Sequence, residues 1–260
     1  MKSISFAIAF FSMATFSVKA QTVTLDYYFN HEYHVTKSGQ TERFHYTWED
    51  TASSGYSIWG NIFRRNNATI KSLEAAPTLD NLKGTDIYII VDPDTKKETA
   101  NPAYIEELHI KAISNWVKAG GVLVLLANDS ANTELEHLNH LSETFGIHFN
   151  TDIRNRVTGN QFDMGAFIVP PGNAIFKAGE KIYIKEICTL KLSGKAKPAF
   201  IDKRDIIIAT AKYGKGTVFA VGDPWFYNEY CNGRLPAGYD NDKAADDLTK
   251  WLLQQVPVKK

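Results

Sequence analysis

Three apolar runs, IYIIV (87 to 91), VLVLLA (122 to 127) and TVFAVG (217 to 222), constrain this chain more than any other feature, because none of them alternates. A strand with one wet face reads apolar, polar, apolar. Continuous apolar character means that both faces are covered, as in a parallel sheet flanked by helices. TVTLDYYF (22 to 29) has the same texture and supplies a first strand.

The segments between these runs read as helices. NPAYIEELHIKAISNWVKAGG (101 to 121) has Pro102 near its start, apolar residues at Ile105, Leu108, Ala112, Ile113, Trp116 and Val117, and a Gly120-Gly121 stop. ANTELEHLNHLSETFG (131 to 146) places Leu135, Leu138, Leu141 and Phe145 on one face, with Gly146 after them. SGYSIWGNIFRRNN (54 to 67) is a weaker helix, and KAADDLTKWLLQQV (243 to 256) closes the chain. Trp116 and Trp251 fall on apolar helix faces and are expected in the core. Strand, helix, strand in this spacing is a βαβ unit, so the predicted class is α/β with a parallel-core, flavodoxin-like sheet and helices on both faces. From about 148 to 216 the texture turns β-rich, with a Gly214-Lys215-Gly216 hairpin leading into TVFAVG. We read residues 21 to 260 as one domain carrying that insertion as an antiparallel edge.

The first twenty residues, MKSISFAIAFFSMATFSVKA, have an early lysine, an apolar centre and small residues at Val18 and Ala20. This layout predicts a cleaved export signal, hence a periplasmic or secreted protein, and not a membrane anchor. Without Lys2 and Lys19, the 29 basic residues become 27 against 29 acidic ones, a net charge of −2 that offers no electrostatic footprint for nucleic acid. Cys188 and Cys231 are far apart; pairing in an oxidising compartment and burial as two small hydrophobes both fit.

In an open α/β sheet, ligands sit beyond the carboxyl ends of the strands. The four apolar runs end in Asn30-His31-Glu32, Asp92-Pro93-Asp94, Asn128-Asp129-Ser130 and Asp223-Pro224-Trp225, with Tyr227, Asn228 and Glu229 just behind. Each group taken singly also suits a turn or a helix cap, as Asp129 or Ser130 would for a helix starting near Asn132. As a set they predict a polar cleft. The candidate catalytic residues are Asp223, Glu229, Asp92, Asp129, His31 and Glu32; the candidate substrate-binding residues are Asn30, Asp94, Asn128, Trp225, Tyr227 and Asn228.

The run KYGKGTVFAVGDPWFYNEY resembles the closing motif of an uncharacterised domain family with a class I glutamine amidotransferase-like fold. Gly214 to Gly216, Gly222-Asp223 and Asn228 carry the resemblance. DYYFNHE, IYIIVDPDT and GGVLVLLANDS fall where that family has its earlier strands. The resemblance implies an amidotransferase-like sheet, and a context in polysaccharide-degrading bacteria, where such domains occur alone or fused to unsaturated rhamnogalacturonyl hydrolases. Glutamine hydrolysis is excluded: the turn LLANDSAN has no cysteine nucleophile, and no histidine follows His148.

Three functions remain. Carboxylates, amides and aromatic faces together suit a glycan fragment, and glycoside hydrolysis needs two carboxyl groups across the bond. A non-catalytic glycan-binding or accessory module would use the same cleft. A metal-binding protein could draw on His31, Glu32, Asp92, Asp94, Asp129 and Asp223, although none of the recognisable metal-ligand spacings occurs. No cofactor motif is present, and the expected partner is an oligosaccharide from plant or algal material, a class implied by the resemblance.

Overall fold

A computed structural model describes residues 20–224, 227–231 and 233–258. The predicted export signal therefore lies outside the described residues, as do Trp225 and the side chain of Glu229. Among the described residues, no helix is long and apolar enough to cross a membrane.

The strands are β1 (Thr22–Asp26), β2 (Glu32–Val35), β3 (Thr41–Phe44), β4 (Thr69–Leu73), β5 (Ile87–Val91), β6 (Val122–Leu126), β7 (Ile147–Phe149), β8 (Ala166–Val169), β9 (Glu180–Tyr183), β10 (Leu190–Leu192), β11 (Lys197–Asp202), β12 (Asp205–Tyr213) and β13 (Gly216–Val221). The helices are α1 (Ser57–Arg65), α2 (Glu107–Ala119), α3 (Leu135–Glu143) and α4 (Asn241–Gln255). Nine strands form one sheet in the order β4-β1-β5-β6-β13-β12-β10-β7, with β11 also paired to β12. The pairs from β4 to β13 are parallel, and those from β13 onward are antiparallel. The fold is thus α/β with a parallel core and an antiparallel edge. β2-β3 and β8-β9 are separate hairpins.

The continuous apolar runs divide between two cores, as covered strands must. Ile87, Ile89 and Val91 of β5 face one core with Trp59, Ile62 and Phe63 of α1 and Leu248 and Leu252 of α4. Tyr88 and Ile90 face the other with Ile113 and Val117 of α2 and Leu138 and Leu141 of α3. Each such side chain contributes roughly 1.5–3 kcal/mol on burial, which is why β5 and β6 occupy the middle of the sheet. Trp116 joins the second core, and Trp251 packs against the first.

Several element ends differ from the sequence reading, each for a local reason. β1 stops at Asp26 instead of running to Phe29, because the Asp26 carboxylate accepts the backbone N–H groups of Tyr28 and Phe29 and turns the chain. α2 begins at Glu107, with Glu106 and His109 forming a reciprocal cap, five residues beyond Pro102. Glu134 caps α3 by accepting from the His137 N–H; Asp129 and Ser130 do not. Gly214, in left-handed backbone, makes the expected β12-β13 turn. Cys188 and Cys231 are buried, reduced thiols.

Candidate active site

From β1 the chain crosses to β4 at one side and returns to β5 at the other, so the order of connection reverses between β1 and β5. Strand ends splay apart at such a point and leave a crevice. Here it is bridged by the Asn30 side chain, whose Nδ2 donates to the Asp92 carbonyl at 3.1 Å.

Asp92, the first residue past β5, is the centre of the site. It is 7 % exposed and sits in left-handed backbone at φ 42°. Its Oδ2 accepts from the Tyr46 hydroxyl at 2.9 Å and more loosely from Asn128 Nδ2 at 3.5 Å, and its Oδ1 accepts from the Thr133 hydroxyl. Burial pushes its carboxyl up to about 7, against the pull of the Thr133 hydrogen bond and with a further push from the Glu98 charge. Loss of water outweighs three donors, and among the described residues Asp92 makes no ion pair.

A cavity of about 200 Å³ opens on this carboxyl. One wall is His45 and Tyr46, from the loop between β3 and α1; a second is Glu98, from the loop after β5. Asn128 and Asn132 come from the loop after β6, and Lys185 and Glu186 from the insertion after β9. Among the described residues, eight non-glycine residues adopt positive φ, and four of them, His45, Tyr46, Asp92 and Glu186, line this one cavity. Left-handed backbone costs an ordinary residue about 1 kcal/mol or more, and its concentration around one cavity makes that cavity the candidate site.

Glu32 Oε1 and His45 Nδ1 are 2.7 Å apart, and Lys185 lies 3.4 Å from the Glu186 carboxylate. Glu98 stands exposed at the mouth, where its Oε2 accepts from the Thr95 N–H and hydroxyl. Partial loss of water holds its carboxyl above the ordinary value, and Glu32 adds to the rise. Asp94 is buried behind the cavity, accepting from the His31 N–H and the Thr99 hydroxyl, and burial raises it to about 6.

The structure therefore gathers much of the predicted set and redistributes the rest. Asp92 and Asn128 line the cavity; Asn30, Glu32 and Asp94 support it. The His31 ring is turned away, with Nδ1 on the Tyr27 carbonyl at 2.8 Å. Asp129, expected to face substrate, closes its own turn instead, accepting from the Ala131 N–H at 2.7 Å and Asn132 Nδ2 at 2.9 Å. Asp223 is buried at 1 % exposure, close enough to Tyr46, Tyr56 and Tyr227 to raise their hydroxyls beyond what burial does. Tyr227, expected to offer its ring to a sugar, is fully buried and stacked on Trp59 at 4.7 Å, an apolar ring claimed by the core. Asn228 is buried one turn from Cys231, whose N–H it accepts. The expected roles of Trp225 and the Glu229 carboxylate fall outside the described residues.

His45, Tyr46, Glu98, Asn132, Lys185 and Glu186 were not visible as site residues in the sequence. Only Glu98 had a signal, four residues past Asp94 in a loop already marked as functional. The set with metal-ligating proximity among the described residues is Glu134, Glu136 and His137 on α3, not the rim carboxylates. His137 is there held by Glu134 and stacked on Tyr104 at 4.6 Å.

No protein-family profile matches the chain, and no curated protein sequence matches it either. Solved structures of similar fold do. The mmIFT52 N-terminal domain aligns with a TM-score of 0.65 at 17% identity over 90% of this chain and 97% of that one. A cytoplasmic protein of Salmonella typhimurium LT2, STM1381, gives 0.60 at 13% identity over 91% and 100%. The exo-beta-1,4-mannosidase Op5Man5 from an Opitutaceae bacterium gives 0.53 at 15% identity over 92% of this chain but 36% of the enzyme. At these identities the likeness is one of fold. Glycosidases are among the proteins that contain such a fold, and this chain spans about a third of the one compared.

Proposed function

We propose that the chain is a carbohydrate-handling protein that holds one sugar-sized unit of a glycan fragment in the Asp92 cavity. The observation that carries this reading is the convergence of strained backbone on a buried carboxyl at the topological switch point. A volume of about 200 Å³ equals roughly seven waters at ~30 Å³ each, enough for one monosaccharide ring and below the ~300 Å³ where drug-sized ligands begin. The lining offers hydroxyl-matching groups from Asn128, Asn132, Asp92 and Glu98, which suits a polyhydroxylated ligand. The occurrence of the fold within glycosidases supports the same class. An extracytoplasmic site of action, as the leader-like first twenty residues imply, belongs to the same proposal.

A second reading adds turnover. A carboxyl at about 7 holds its proton under mildly acidic conditions, as a general acid must, and Glu98 supplies a second carboxyl in the same cavity. Isothermal titration of the protein with a panel of mono- and oligosaccharides, with product analysis in parallel, tests both. Binding that Asn128→Ala weakens at least tenfold supports the site. Product formation abolished by Asp92→Asn supports hydrolysis. If no saccharide in the panel binds at millimolar concentration, the carbohydrate reading is wrong.

A further inference from the structure

Lys185, the lysine in the cavity lining, already faces a carboxylate, and the buried Asp92 carboxyl at the centre makes no ion pair among the described residues. His45 is held by Glu32 at 2.7 Å, and Lys185 by Glu186 at 3.4 Å. Asp92 is held by two hydroxyls and an amide, and Glu98 by the Thr95 hydroxyl and N–H; among the described residues neither makes an ion pair. The cavity therefore presents one carboxyl group inside and a second at its mouth, neither of them ion-paired among the described residues.

We infer that this cavity selects a saccharide bearing an ammonium group over a neutral one, and a neutral one over a uronate, with Glu98 at the mouth as the residue that sets the preference. The inference rests on the carbohydrate reading above and sharpens it. Its physical basis is direct. An ammonium group entering beside Asp92 and Glu98 gains attraction from both and relieves the penalty that burial imposes on their ionised forms. A carboxylate entering there meets two like charges in a space too small to keep it hydrated. Because Glu98 is exposed, its share is screened, and its removal is expected to alter the preference without abolishing it.

Three probes of one ring size, glucosamine, glucose and glucuronate, separate the possibilities when titrated into the full chain at pH 7.5. In low salt, affinity is expected to fall from glucosamine to glucose by roughly five- to tenfold and from glucose to glucuronate by at least as much, with both gaps shrinking in 0.5 M salt. Glu98→Gln keeps an acceptor for the Thr95 donors, so it is expected to fold normally and to narrow the glucosamine-to-glucuronate ratio several-fold, any change in its hydrogen bonding to the shared ring hydroxyls cancelling in that ratio. Equal affinity for all three, a preference for glucuronate, or an unchanged ratio in Glu98→Gln overturns this inference and leaves the carbohydrate reading intact. Failure of all three to bind overturns this inference, and failure of the whole mono- and oligosaccharide panel overturns the carbohydrate reading with it.

Discussion

Replacing Asp92 by asparagine isolates the group on which the site is built, and its effect on stability has a sign that depends on pH. Asparagine tolerates left-handed backbone at least as well as aspartate and retains an acceptor, so the φ of 42° adds no new strain. The difference lies in ionisation. Asp92 is raised from 3.8 to about 7 by burial, about three decades of proton affinity at about 1.4 kcal/mol each, which gives ~4 kcal/mol as an upper figure. Between those values the folded protein binds more protons than the unfolded chain, so the wild-type protein loses stability as pH rises from about 4 to about 7. Above 7 the penalty is complete; below 4 it is absent. The variant stays neutral throughout. Urea unfolding of both proteins at half-unit steps from pH 5 to 9 is therefore expected to show the variant gaining on the wild type with rising pH, by about 3 kcal/mol across this window because about one of the three decades already lies below pH 5, and levelling above pH 8. Asp26, Asp94 and Glu180 are also raised by burial, to about 6, about 6 and about 7, but they are common to both proteins and cancel in the difference. Re-formed hydrogen bonds from Tyr46 and Thr133 add a constant offset of about 1 kcal/mol that does not vary with pH. A stability difference that is flat from pH 5 to 8 would falsify the view that Asp92 is desolvated.

Further tests address the supports of the site. Tyr88→Phe removes the donor 2.5 Å from Asp26 Oδ1 and leaves that buried carboxylate short of a partner, so unfolding measurements should show a loss of about 1–3 kcal/mol at pH 7.5 and a smaller one at pH 5. Gly222→Ala puts a methyl group against the carbonyl oxygen of Cys188 and 2.6 Å from its Sγ, forcing apart the end of β13 and the insertion; we expect insoluble protein or a melting temperature lower by ten degrees or more, and a normal melting curve would refute that packing. Cys188 and Cys231 are buried thiols that burial holds well above the usual range, so a thiol reagent should modify neither in the native protein and both in urea. Fast labelling under native conditions would contradict it.

Much of the architecture was legible in residue order because burial on two faces leaves a local trace. IYIIV, VLVLL and TVFAV are all parallel-core strands, Gly214 makes the hairpin, α3 lies on the apolar stripe its spacing marks, and α2 does so through Ile113, Trp116 and Val117, whereas Leu108, expected on that stripe, is exposed on its first turn. The rim of polar strand ends was legible for the same reason: parallel strands point one way, so whatever follows each of them arrives at one edge. The choice among rim residues was not. Asp92 and Asp129 look alike in sequence, both following an apolar run, yet one is held by Tyr46, Thr133 and Asn128 in a cavity, and the other is spent on its own turn. Tyr227 looked like a sugar platform and is stacked in the core on Trp59, nearly 170 positions away. His45 and Tyr46 have no signature at all, since consecutive left-handed residues of those types are chosen by the space they must cross. The sequence by itself determined the layers and the edge at which a site would form, because hydrophobic periodicity is a property of neighbours along the chain. Which carboxyl loses its water, and which cations are already paired beside it, was decided only by tertiary structure, because desolvation and charge balance depend on groups brought together from loops far apart in the chain.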